Sequence, residues 1–149
     1  MAVTRGTRTP LANISRIASD AAGKATAFGE LTLGNEHAID IYLNVTLHTS
    51  AANGTLDLYL VESQEGTEWT DGIDPSGSDT DWALYMFDAK LIASANAHYV
   101  TTTRASVSLH WAGQVAELQQ YIGFVLVNNS GQAISGTAAN VDSQTVTFS

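Results

Sequence analysis

Residues 39–48 read IDIYLNVTLH, and this stretch decides the fold class. Ile39, Ile41, Leu43, Val45 and Leu47 alternate without a break with Asp40, Tyr42, Asn44, Thr46 and His48. Successive side chains of a β-strand point to opposite faces, so such a run has one dry face and one wet face. That is the pattern of an antiparallel sheet with one side on a core. Asn53-Gly54 follows as a tight-turn signal. Leu56, Leu58 and Leu60 then alternate with Thr55, Asp57 and Tyr59, so residues 37–62 are expected to form a hairpin.

The same rhythm extends in both directions. Ahead of it, Ala25, Ala27, Leu31 and Leu33 share a face. Behind it, strand character returns over 84–95 and 99–111; in the second run Tyr99, Thr101, Thr103, Ala105, Val107, Leu109 and Trp111 point one way. Residues 112–120 read as a connection with one helical turn. The run YIGFVLV at 121–127 is apolar on both faces and predicts a central strand covered on both sides. Asn128-Asn129-Ser130-Gly131 makes a turn, and 141–148 supplies a last strand whose weaker alternation suits a bulge.

About seven or eight strands with no helix after residue 24 exclude alternating βαβ architectures. The long connections 65–82 and 111–120 suit crossings between sheets. The expected fold class is therefore all-β, an antiparallel β-sandwich, with an eight-stranded jelly roll first. An immunoglobulin-like sandwich comes second, because the cysteine pair of the antibody type is absent.

The first 23 residues differ from the rest. Thr9 suits a helix N-cap, Pro10 the first helical position and Gly23 the stop, with Leu11, Ile14, Ile17 and Ala21 as a thin apolar stripe. The expected organisation is an N-terminal arm or short helix over 1–23, followed by a β-sandwich domain over 24–149. Charge divides the chain at nearly the same place. Arg5, Arg8, Arg16 and Lys24 stand against Asp20 alone, a net of +3. Residues 25–149 set Lys90 and Arg104 against 14 carboxylates, a net of −12. A basic arm before an acidic body is suited to docking on an acidic surface, including a neighbouring copy.

The remaining composition narrows the function. With 149 residues and 44% hydrophobic residues the chain makes one folded domain. It has no cysteine, so neither disulfides nor thiolate metal sites enter. A net charge of −9 opposes binding to nucleic-acid phosphates. No apolar run reaches the ~20 residues of a bilayer-spanning helix, so no membrane partner is expected.

Motifs for catalysis are missing. There is no Gly-x-Ser-x-Gly elbow, phosphate-binding loop or dinucleotide fingerprint, so neither an enzyme nor a cofactor is expected. His37, His48, His98 and His110 lie far apart without metal-ligand spacing, and no metal site is assigned. Asp71, Asp74, Asp79 and Asp81 crowd the loop DGIDPSGSDTD, where oxygen ligands suit calcium, but the EF-hand spacing is absent and a solvated loop fits equally. Trp69 and Trp82 flank this loop as candidate glycan contacts.

Four features in order resemble the jelly-roll cement and decoration proteins of tailed-bacteriophage capsids. They are the Ala/Ser-rich N-terminal arm, the strand AIDIYLNVTLHTS, the strand GTLDLYLVES with its Asp/Gly-rich loop, and the strand YIGFVLVNNSGQAI. The resemblance implies a virion structural protein, made in the bacterial cytoplasm and placed on the outer capsid surface. It implies the major capsid protein as partner and a homo-dimer or homo-trimer, with a glycan-binding knob or fibre domain as the alternative. The resemblance transfers no residues. Charge and apolarity alone select Arg5, Arg8, Leu11, Ile14 and Arg16 as partner contacts.

Overall fold

The computed structural model describes residues 2–7, 9–13, 24–34, 36–46, 54–72, 88–96, 106–129 and 140–148. Nine strands occur there: β1 (Val3–Arg5), β2 (Thr9–Asn13), β3 (Lys24–Thr32), β4 (Ala38–Thr46), β5 (Thr55–Ser63), β6 (Lys90–Asn96), β7 (Ser106–Gln114), β8 (Tyr121–Asn128) and β9 (Asn140–Phe148). They form two antiparallel sheets. One runs β1-β9-β4-β7, with β2 also on β9; the other runs β3-β8-β5-β6.

The strand order is that of a jelly roll. β2 pairs with β9, β3 with β8, β4 with β7 and β5 with β6. The chain is thus one long antiparallel ribbon doubled back at β5–β6. Its successive pairs fall alternately in the first and second sheet, and the cross-pairs β4–β9 and β5–β8 stitch the roll closed.

The alternation read from the sequence decides which side chains meet between the sheets. Ile39, Ile41, Leu43 and Leu109 of the first sheet face Leu56, Leu58, Leu60, Ile122, Phe124 and Leu126 of the second. The indole of Trp111 joins them, its ring centroid 6.0 Å from that of Phe124. Gly113 leaves space for that indole, since a Cβ there would stand 2.3 Å from Trp111 Cη2. β8 is buried on both faces, as its sequence predicts. Its other face forms a second, smaller core with Val61, Trp69, Val125 and Val127, flanked by Tyr59, Ala89 and Tyr121.

Three sequence-based expectations change. Residues 37–62 do not pair as a hairpin, because β4 and β5 belong to different sheets and the connection through Asn53-Gly54 crosses between them. Conversely, the long connection after β5 returns within one sheet, since β6 pairs beside β5. Only the connection from β7 to β8, with a 3-10 turn at Val115–Glu117, is a crossing as expected. Thr9–Asn13 is a strand, not the first turn of a helix. The open edge of β9 offers that segment a ladder of partners, and a thin apolar stripe supplies too little burial to hold a helix against it. Among the described residues no helix is long and apolar enough to cross a membrane.

Candidate functional site

The N-terminal segment lies along β9, where Val3, Thr4 and Arg5 pair with Phe148, Thr147 and Val146, and Thr9–Asn13 pairs with Asn140–Ser143. The register slips by one residue between Arg5 and Thr9, and again between Pro10 and Ala12. One irregular edge strand results.

Directly opposed residues share a face. Val3 and Arg5 therefore stand with Val146 and Phe148 of β9, with Asp40 and Tyr42 of β4, and with His110 of β7. This is the outer face of the first sheet, since Ile39, Ile41 and Leu43 point the other way into the core. Arg5 Nη1 reaches Asp40 Oδ2 at 2.5 Å, and His110 Nε2 stands 3.5 Å from Asp40 Oδ1. The His110 ring stacks on Tyr42, centroids 4.7 Å apart. Because β9 lies between β1 and β4, the guanidinium bridges three strands. Asp40 is 7% exposed, and a carboxylate that dry needs a charged partner. Arg5 of the N-terminal segment is thus paired with a carboxylate of its own chain.

At the end of this face Val3 and Phe148 are exposed, 58% and 43% respectively, and opposite each other in register. The Phe148 ring lies 5.3 Å from that of His37, whose Nδ1 accepts a hydrogen bond from the Phe148 N–H at 3.2 Å. The result is an apolar rim beside the Arg5–Asp40 pair.

A second concave feature lies at the end of β5. A cleft of about 560 Å³ is lined by Glu62, Ser63, Gln64, Glu65, Glu68, Trp69, Thr70 and Gln119. Its walls are tied down. Thr70 Oγ1 accepts the Glu62 N–H (3.1 Å) and donates to the Glu62 carbonyl (3.2 Å). Ser63 Oγ accepts the Gly66 N–H (2.9 Å), and Glu62 Oε1 accepts the Gln119 N–H (3.0 Å). Asp71, in the left-handed region at φ 57°, accepts the N–H groups of Asp88 and Ala89 at 2.8 and 2.7 Å. Toward the other end of β5, Asp57 accepts hydrogen bonds from Thr55, Ser94 and Asn129, joining β5, β6 and the end of β8. Burial, and then the Asp57 charge, push the Tyr59 hydroxyl pKa above its ordinary value.

Of the residues selected from sequence, Arg5 has the partner just described, and Leu11 lies in β2. Arg8, Ile14, Arg16 and Trp82 fall outside the described residues, as do Asp74, Asp79 and Asp81. Trp69 is 7% exposed and belongs to the small core of Val61, Val125 and Val127, so little of its indole is open to the cleft it lines. Among the described residues no group of three His, Asp or Glu side chains is placed to hold a metal. Sequence reading missed Val3, Phe148, His37 and Asp40, which come together only through the register of β1, β9 and β4.

No family model matches the chain, and no curated protein matches it. Solved structures similar to it include the SPBc2 prophage-derived protein YomS, 12% identical with a TM-score of 0.42, covering 99% of this chain and 96% of that one. They also include VP2 of infectious bursal disease virus in a subviral particle, 10% identical at 0.47, covering 97% and 32%. A third is the CBM22-1–GH10 portion of Clostridium thermocellum xylanase 10B complexed with xylohexaose, 9% identical at 0.45, covering 98% and 26%. The chain spans about a third of the viral chain and a quarter of that xylanase portion. The jelly-roll assignment rests on the strand order.

Proposed function

We propose that this protein is a structural component of a tailed-phage virion, a cement or decoration protein that binds the major capsid protein from outside and stabilises the shell. The observation that carries this reading is the rim made by Val3 and Phe148 beside the Arg5–Asp40 pair. Large apolar side chains left exposed in register, next to a charged pair, suit a protein contact better than free solvent. The sequence resemblance supports it too, since three of its four stretches contain β4, β5 and β8, three of the four inner strands of the roll.

The role is binding, with no chemical step. Shell subunits would cover the rim and bury its apolar surface, while the paired Arg5 and Asp40 set orientation. Copies that associate with one another, as a dimer or trimer, would strengthen attachment by presenting several rims together.

Co-sedimentation with undecorated shells tests this. Deleting residues 1–23 would strip β1 and β2 from β9, so point changes on the rim are cleaner. Val3→Glu and Phe148→Glu are expected to fold normally and to lose shell binding at least tenfold. Wild-type occupancy by both would overturn the reading.

The cleft beside Trp69 favours one alternative, a glycan-binding knob, because carboxylates, amides and hydroxyls line it together with Trp69. Saturable binding on a glycan array, abolished by Glu65→Gln with Glu68→Gln, would support it; an empty array would reject it.

A further inference from the structure

The pairing of β9 with β4 stops at Ala38–Val146, short of the end of β9. β1 reaches further, setting Thr4 opposite Thr147 and Val3 opposite Phe148. Beyond Val146 the strand therefore keeps its β1 neighbour and leaves β4, and the apolar rim stands on this tip.

One side chain carries on where β4 stops. N–H groups along a strand turn alternately to its two neighbours. The Phe148 N–H turns to the β4 side, and Nδ1 of His37 accepts it at 3.2 Å. The backbone of His37 is fixed on both sides. Its N–H donates to the Val146 carbonyl at 2.9 Å, and its carbonyl accepts the Val115 N–H at 3.0 Å. The His37 and Phe148 rings also meet, centroids 5.3 Å apart.

An imidazole nitrogen accepts a hydrogen bond only while it carries no proton. Neutral His37 must then hold its proton on Nε2. A second proton goes to Nδ1, where it turns the acceptor into a donor facing the Phe148 N–H, and the bond is lost. Histidine is the side chain that ordinarily changes charge between about pH 5 and pH 8.

We propose that His37 is an acid-released latch on the tip of β9. In its neutral form it holds Phe148, and through the β1 pairing Val3, in the rim; protonated, it lets the tip go. The elements around it bring few charges. Glu36 beside it accepts the Gly34 N–H at 2.6 Å, Glu117 lies in the 3-10 turn that begins at Val115, and Arg5 of β1 is paired with Asp40 of β4. Val146, Thr147 and Phe148 are uncharged, while Met1 and Ser149 fall outside the described residues. Among the described residues, then, the second proton meets no uncompensated cation. The inference deepens the proposed function by making its rim depend on pH, and rests on that reading only for what release would do at the shell.

Nuclear magnetic resonance on the full chain at about pH 7.5 and about pH 5 tests it. At the higher pH, long-range nitrogen–proton spectra are expected to show the His37 proton on Nε2 and Nδ1 bare, with a Phe148 backbone order parameter of about 0.8. At the lower pH both ring nitrogens carry protons, Thr147 and Phe148 fall below about 0.6, and Ile39–Leu43 stay rigid. His37→Asn places an amide oxygen close to the Nδ1 position and takes no proton, so its tip is expected to stay ordered at both values. Three results would each overturn the proposal: a neutral His37 with its proton on Nδ1, a wild-type tip equally ordered at both values, or a His37→Asn tip that still loosens in acid. The last would assign the response to another group, such as His110 beside Asp40. Shell binding is read separately at neutral pH. A working latch on a protein that ignores shells leaves the latch and removes the cement role; a shell-coating protein whose tip ignores acid does the reverse.

Discussion

Replacing Trp69 by alanine is expected to destabilise the protein by about 3–5 kcal/mol. The indole is 7% exposed and packs on Val61, Val125 and Val127, on the side of β8 and β5 away from the main core. A tryptophan buries about 150–250 Å², which at ~25 cal/mol per Å² corresponds to about 4–6 kcal/mol for the whole side chain. Alanine keeps a small part of that area, and partial collapse of the cavity recovers a little more. An indole standing in solvent as a glycan platform would instead change stability by about 0.5 kcal/mol or less. Urea unfolding followed by far-UV circular dichroism measures the difference, with an unchanged m-value showing that the unfolded state is the same. Trp69→Phe should fall between, at about 1–2 kcal/mol. A loss below about 1 kcal/mol for Trp69→Ala would refute the second core and return the residue to the binding surface.

Arg5→Ala should cost about 1 kcal/mol, since Arg5 is largely exposed while Asp40 is left dry beside His110, and it should speed amide exchange at Val146–Phe148. Adding Asp40→Asn in that background should recover part of the loss in a double-mutant cycle. Gly66→Ala should destabilise by about 1–2 kcal/mol, because φ is +74° and the new Cβ would stand 3.2 Å from the Tyr121 ring. The pH dependence follows from Tyr59. Its folded pKa lies above the unfolded value near 10, so its contribution is complete below that pH and lost as pH rises through the folded pKa. Tyr59→Phe should therefore flatten the alkaline arm of the stability profile measured by denaturation at several pH values.

What the sequence made legible follows from burial. β4 buries its apolar face, and β5 buries one face up to Leu60 before Val61 turns to the second core, so Ile39, Ile41, Leu43, Leu56, Leu58 and Leu60 announced themselves by alternation. β8 buries both, and its unbroken apolar run said so. Pairing was less legible, because alternation fixes which face is dry and says nothing about the neighbouring strand. Asn53-Gly54 looked like a hairpin turn between β4 and β5 although the chain changes sheets there. The Thr9-Pro10 start satisfies the rules for a helix, yet the same residues fit an edge strand once β9 presents a ladder. The candidate site was hidden for a related reason. Arg5 and Asp40 lie 35 positions apart, and Val3 meets Phe148 across nearly the whole chain. Trp69 sits in a polar stretch whose composition suits exposure, but that stretch folds back over the apolar outer side of β8.

Imaging of the assembled particle at a resolution that shows strands tests the central claim most directly. The account expects one jelly roll per binding position on the outside of the head, with the end bearing Val3 and Phe148 turned toward the major capsid protein. Density for this chain in the tail, or a head-bound copy whose Val3–Phe148 end points into solvent, would contradict it.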